Sequence, residues 1–288
     1  MASVLTDKLS QFPLQTLQLN GRRLAYREAG EGPVLLLLHG ISSGSGSWVC
    51  QLEALSDRFR VIAWDAPGYG GSDALDTDTP TALDYAAALL ELVQALELQS
   101  PLLVGHSLGA LQAAAFASLH GERLAGLVLA DPAQGYGQAD AATQQDVFRK
   151  RPALLEALGP EGLARERAPA LLAADASDDK VALVADGMRR LGLAGFSAAS
   201  WLLAHDDIGR YLPDYRGSVW VLCGDEDRIT PPESAMALAQ HCGAARYVAL
   251  SGAGHASYID APAAFAAAID DYAQVLLQGP AVITGGEQ

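Results

Sequence analysis

Six short apolar runs recur along the chain, at residues 33–38, 60–64, 101–104, 124–130, 218–222 and 246–250. Each is too short to be a stable buried helix, and none alternates cleanly between polar and apolar. Such runs read as strands buried on both faces, which occurs where a sheet is parallel and helices cover both of its sides. Stretches of helical character lie between them, at residues 47–56, 81–96, 108–120, 233–241 and 262–277. Thr79, Pro80 and Thr81 supply start signals for the second of these, and Pro231-Pro232 for the fourth. Ahead of this rhythm, Asn20-Gly21 separates runs 15–19 and 22–27 and predicts a hairpin. The pattern predicts an α/β fold with a mostly parallel sheet flanked by helices.

Residues 131–213 break the rhythm. They carry charged residues at helical spacing, several Pro and Gly breaks and no convincing strand, which predicts a helical cap over a core made of residues 1–130 and 214–288. In this cap Phe196, Trp201, Leu202 and Leu203 are expected to face a cleft or the sheet, and Arg149, Lys150 and Arg151 to face water. The tail after Gln278 is expected to fray.

Composition narrows the function classes. With 34 acidic against 19 basic residues the formal net charge is −15, and no Lys/Arg run is present, so nucleic acid is an unsuitable partner. The same charge mildly disfavours a highly anionic substrate, although the potential in a cleft can differ from that of the whole. Cys50, Cys223 and Cys242 are too few and scattered for a disulfide framework, and Cys223 is expected to pack. Residues 1–20 lack the apolar core of a secretory signal, and no apolar run approaches the roughly 18 residues of a membrane span. The expectation is a cytoplasmic protein that does not bind membrane. The six histidines include no zinc-type spacing, and neither a G-x-G-x-x-G nor a Walker-type loop occurs, so neither a metal nor a cofactor is expected. The sequence is compatible with a homo-oligomer.

The residues that carry chemistry centre on Gly105-His106-Ser107-Leu108-Gly109, a G-x-S-x-G sequence between the strand at 101–104 and the helix from Leu108. A serine set on so tight a strand-to-helix turn needs small neighbours, and as a nucleophile it needs a base and an orienting acid. His255 follows the strand 246–250 and Asp227 follows the strand 218–222, so both are expected at the same sheet edge as Ser107. Asp225 and Glu226 are close rivals as the acid, and Asp131 a more distant one. An oxyanion hole needs two backbone N–H donors, for which Leu108 and Ile41 are the candidates. His39 and Asp65 are expected to orient their own loops. Trp48, His106, Tyr136, Phe196, Trp201 and Tyr258, with His39, are candidates for contact with substrate or, equally, for core packing.

These segments resemble the α/β-hydrolase superfamily, in its capped branch of esterases, lactonases, haloperoxidase-like enzymes and carbon–carbon bond hydrolases. Beside the elbow, the chain has His39-Gly40, the segment Asp65-Ala66-Pro67-Gly68-Tyr69-Gly70-Gly71-Ser72, Gly224-x-x-Asp227 before Ile229-Thr230-Pro231, and Gly254-His255 before Pro262. They follow the family's order over residues 15–277 apart from the cap, and Ser107, Asp227 and His255 follow its Ser–Asp–His order. The loop from His39 to Trp48 is similar to that of meta-cleavage product hydrolases. Those usually have Asn before the nucleophile and Trp after the base, where this chain has His106 and Ala256. Haloalkane dehalogenases use Asp where this chain has Ser107. The resemblance implies a cofactor-independent serine hydrolase of a small, mostly apolar ester or lactone, with Ser107, His255 and Asp227 as its triad. The alternative is carbon–carbon cleavage of a β-diketone or meta-cleavage-type product. Outside enzymes, the fold also serves as a small-molecule receptor, usually with a broken triad.

Overall fold

The computed structural model describes residues 3–242 and 246–278; the tail expected to fray lies outside them. Eight strands form one sheet: β1 (Gln15–Leu19), β2 (Arg22–Ala29), β3 (Val34–Leu38), β4 (Arg60–Asp65), β5 (Leu102–His106), β6 (Gly126–Ala130), β7 (Val219–Gly224) and β8 (Arg246–Leu250). Their order across the sheet is β1-β2-β4-β3-β5-β6-β7-β8. β1 and β2 pair antiparallel, β2 pairs antiparallel with β4, and all other pairings are parallel, so only β2 runs against the rest. Asn20 and Gly21 both adopt positive φ, 50° and 83°, as a hairpin turn that matches strand twist requires.

The unbroken apolar runs follow from position. Every residue of β3, β5, β6 and β7 is buried, whereas edge strand β1 has no buried residue. Helices Val49–Leu55, Ala82–Ala95, Leu108–His120 and Pro262–Gln278 cover the faces. Residues Leu108 to Ala117 are all buried, which is why that helix shows no polar face.

Between β6 and β7 the chain is helical, with Ala141–Arg167, Asp178–Arg189 and Leu193–His205 as the principal helices. The first is broken at Gly159, whose φ of 65° and ψ of 170° are not helical, and Pro160 lacks the N–H that would continue the ladder. The segment is fastened at several points. Ala256 donates its N–H to the carbonyl of Leu171 at 2.7 Å, and the Asp260 carboxylate accepts from the N–H groups of Ala173 and Gly254 at 2.7 and 2.9 Å. On the other side Asp206 accepts from the N–H of Ala82 at 2.8 Å. Gly195 and Gly68 meet backbone to backbone, and a Cβ on Gly195 would lie 2.0 Å from the Gly68 carbonyl oxygen.

At the junction of β5 with its helix, Ser107 has φ 54° and ψ −118°, a conformation that side chains rarely adopt. Tight packing imposes it. A Cβ on Gly105 would meet the Gly109 carbonyl oxygen at 2.3 Å, and one on Gly109 would meet that of Leu38 at 2.5 Å. Because both obstacles are backbone, Gly105→Ala should lose about 1–3 kcal/mol or more of stability. Gly192→Ala, where a Cβ meets nothing within 4 Å, should stay within about 1 kcal/mol of the parent. Urea unfolding of the two variants checks this, and equal midpoints would contradict the packing argument.

Candidate active site

Ser107, His255 and Asp227 meet above the carboxyl ends of β5, β8 and β7. Ser107 Oγ lies 2.9 Å from His255 Nε2, and His255 Nδ1 lies 2.9 Å from Asp227 Oδ2. All three are buried. Asp227 also accepts from the N–H groups of Ile229 and Thr230 at 2.7 and 3.0 Å, and the Thr230 hydroxyl sits 2.7 Å from Oδ2. Burial alone pushes the Asp227 carboxyl up, but the bond from His255 and the donors around Thr230 outweigh it and hold the pKa below the usual carboxylate value. An ionised Asp227 fixes the proton on His255 Nδ1 and leaves Nε2 free to accept from the serine hydroxyl.

The rival acids are placed elsewhere. Asp225 is exposed and accepts from the N–H of Gly252 at 2.8 Å, and Glu226 is exposed. Asp131, wholly buried after β6, accepts from the N–H of Gly224 at 2.8 Å and from the hydroxyl of Ser257. Burial pushes its carboxyl up to about 7, and the nearby Asp227 charge acts in the same direction. Asp131 thus ties the Asp227 strand to the His255 loop without touching the imidazole. Asp131, Cys223 and Asp227 bring ligand-type atoms within 4.8 Å of one another. Both carboxylates already have hydrogen-bond donors, and burial pushes the Cys223 thiol up toward the protonated form, so the trio is poorly suited to a cation.

The loop after β3 closes the other side. A Cβ on Gly40 would lie 3.0 Å from both His106 Nδ1 and Ser107 Cβ, so this loop reaches the serine only because position 40 has no side chain. Ile41 and Leu108 both line the cavity above Ser107, and among the described residues neither backbone N–H has a protein acceptor. His39 is buried outside that cavity; its Nε2 accepts from the N–H of Ala66 at 3.0 Å and its Nδ1 faces the Gly40 carbonyl at 2.8 Å, which orients the loop. Asp65 accepts from the N–H groups of Ser45 and Gly71 at 2.7 and 3.1 Å, pinning the following turn.

The cavity measures about 480 Å³ and is walled by the core loops and by residues from the β6–β7 segment. Among the aromatic and histidine candidates, His106, Tyr136, Phe196 and Tyr258 line it. Two others do not. Trp48 is wholly buried against Tyr258, with ring centroids 4.0 Å apart, and Trp201 stacks on His205 at 3.7 Å beside Phe148. The expectation that Lys150 and Arg151 face only water is also corrected. Both line the cavity and Arg151 is half-buried, because the break at Gly159 folds the two arms of helix Ala141–Arg167 around the same space.

Two residues named from the sequence have bracing roles that the sequence reading did not assign them. His106 donates from Nε2 to the backbone carbonyl of His255 at 2.7 Å; burial and the neighbouring His255 lower its pKa to about 3, so it stays neutral while holding the loop. Thr230 braces Asp227, and the Thr230-Pro231 pair that precedes helix Pro232–His241 was its only signal.

Comparison with known proteins agrees with this architecture. Curated relatives match chiefly in part, and the chain spans between 28 and 37% of the length of the first of them. One, an (E)-2-((N-methylformamido)methylene)succinate hydrolase of Acinetobacter baylyi, is 40% identical over 98 residues, 34% of this chain and 37% of that protein. Among solved structures, a thermophilic esterase from Thermogutta terrifontis is similar with a TM-score of 0.82 and 26% identity, covering 92% of this chain and 99% of that one. An enol-lactonase from Burkholderia xenovorans LB400 gives a TM-score of 0.80 and 25% identity over 91% of this chain and all of that one. No helix among the described residues is long and apolar enough to cross a membrane. The sequence profile of the alpha/beta hydrolase fold matches residues 33–262, and the chain belongs to that family of hydrolases.

Proposed function

We propose that this hydrolase cleaves a small carboxylic ester or lactone through an acyl-enzyme formed on Ser107. The observation that carries the reading is the unbroken Ser107–His255–Asp227 relay, with 2.9 Å at both contacts, opening on a cavity lined by Ile41 and Leu108, whose N–H groups have no protein acceptor among the described residues. Ser107 Oγ attacks the carbonyl carbon as His255 Nε2 takes its proton. The N–H groups of Ile41 and Leu108 hold the oxyanion, and Asp227 stabilises the imidazolium. Collapse breaks the bond to the leaving alkoxide, which receives the proton from Nε2; in a lactone it remains tethered to the acyl group. Water then repeats the sequence on the acyl-enzyme and releases the acid and the free serine. Residues 131–213 act as the lid that shapes the acyl site, since Phe196 and Leu203 contribute to the wall.

Carbon–carbon cleavage is the second reading. It is supported by a partial match, 36% identical over 111 residues, to a 2-hydroxy-6-oxo-6-phenylhexa-2,4-dienoate hydrolase of Comamonas testosteroni. A panel of p-nitrophenyl esters, lactones and one such dienoate separates the two.

Ser107→Ala should abolish turnover and covalent labelling by a fluorophosphonate while leaving the thermal melt near that of the parent, because only one hydroxyl is removed. Retained turnover in the folded variant would refute the nucleophile. Asp227→Asn should lower kcat by on the order of 10⁴-fold, the scale seen when a triad imidazole is left in the wrong tautomer. Asp131→Asn should cost less than about tenfold, because burial already favours its protonated form and it makes no bond to the His255 ring. Steady-state kinetics on one p-nitrophenyl ester check the ranking, and the reverse order would move the acid to the end of β6.

A further inference from the structure

The charge lining the cavity is opposite to that of the chain. The sequence has 34 acidic and 19 basic residues, yet Lys150, Arg151 and Arg167 line the space above Ser107 and no Asp or Glu does. Lys150 and Arg167 are exposed, whereas Arg151 is half-buried. None of the three forms an ion pair with a carboxylate among the described residues, although Arg189 and Arg190 in the same segment do. Among the described residues the Arg151 guanidinium makes one hydrogen bond, a long one of 3.4 Å to the Val147 carbonyl one turn earlier in its own helix.

Burial lowers the pKa of Arg151 and the nearby Arg167 charge acts in the same direction, while Tyr136 and Tyr69 act the other way. A half-buried guanidinium with five donors and no carboxylate partner among the described residues suits a planar anion, which it can hold bidentately. Arg151 shares its cavity with Ser107, His255 and Ile41. Tyr136 lines the same cavity, and the Tyr69 hydroxyl donates to the carbonyl of Ile41 at 2.8 Å, on the oxyanion-hole loop. The cavity wall also carries apolar side chains, among them Leu154, Leu163 and Phe196.

We infer that the cavity takes a substrate bearing a free carboxylate, which Arg151 binds with Arg167 and Lys150 as supporting cations, while an apolar linker carries the reactive carbonyl to Ser107. This rests on the hydrolase reading above and replaces its expectation of a mostly apolar substrate with an anionic one. No further chemistry is needed: the carboxylate is a handle that neither forms nor breaks a bond.

The test compares mono-p-nitrophenyl adipate with its methyl ester, p-nitrophenyl methyl adipate, which differ in the charge at one end. The parent should favour the anionic ester by about tenfold to a hundredfold in kcat/KM, the range of one charge-assisted hydrogen-bonded contact. Arg151→Gln should bring that ratio close to one, chiefly through KM for the anionic ester, and Arg151→Lys should keep part of it. Arg167→Gln should lower it less, and added salt should reduce it in the parent. No preference in the parent, or a preference untouched in folded Arg151→Gln and Arg167→Gln, would overturn the carboxylate site. Binding is read separately by calorimetry of adipate with Ser107→Ala and with Ser107→Ala/Arg151→Gln. If neither ester is turned over and no fluorophosphonate label is taken up, the hydrolase reading falls. Adipate binding that is lost with Arg151 would then still support the anion site, and no binding to Ser107→Ala would overturn it.

Discussion

The close approach of backbone to backbone around Ser107 is the constraint on which the rest of this site depends. Gly105 lies against Gly109, and Gly109 lies against the carbonyls of Leu38 and His39, so β3, β5 and the helix Leu108–His120 meet without side chains between them. That packing holds Ser107 at positive φ, a strain on the order of 1–3 kcal/mol that the surrounding buried strands sustain. The result is a hydroxyl raised above the sheet edge next to a free N–H at the start of a helix. The same contact carries the loop bearing Ile41 over the serine, because Gly40 has nothing to collide with His106 or Ser107 Cβ.

A second layer of polar contacts keeps the partners of Ser107 in reach. His106 grips the backbone of His255, Asp131 joins the start of the turn after β7 to Ser257, and Thr230 braces Asp227. Each of these groups is buried or half-buried, and each spends its hydrogen bonds on backbone or on another member of the set. A serine, a histidine and a carboxylate brought from strand ends far apart in sequence are thereby held within 2.9 Å contacts. Asp131 is instructive here. As a buried carboxyl near Ser107 and His255 it resembles a rival acid, yet its hydrogen bonds go to the Gly224 N–H and the Ser257 hydroxyl and not to the imidazole.

The β6–β7 segment adds the chemical character of the cavity. It is tied to the His255 loop through Leu171 and Ala173, and to the loop after β4 through Gly195, so its wall residues are placed as firmly as those of the core. A net charge of −15 is a property of the outer surface, whereas the local cluster of Lys150, Arg151 and Arg167 sets the potential inside.

Much of this was legible in the residues because it is governed locally. Strands β1 and β8 and helix Leu108–His120 coincide with the expected spans, and the other core elements shift by a few residues at their ends. Apolar runs, Asn-Gly at a hairpin and small residues around a serine each express a backbone requirement within a few positions of themselves. The order of Ser107, Asp227 and His255 along a parallel sheet also suffices to put them at one edge, since every strand there ends on the same side. The cavity wall is different. Whether Trp201 points at Phe148 and His205 or at the serine, and whether Arg151 faces water or the interior, depends on the rotation and breakage of helices that pack tens of residues away. Periodicity within such a helix identifies an apolar face but not its partner, and a sum of charges does not say where cations gather. Only the tertiary packing around Gly159, Gly195 and the Leu171–Ala256 contact decided those points.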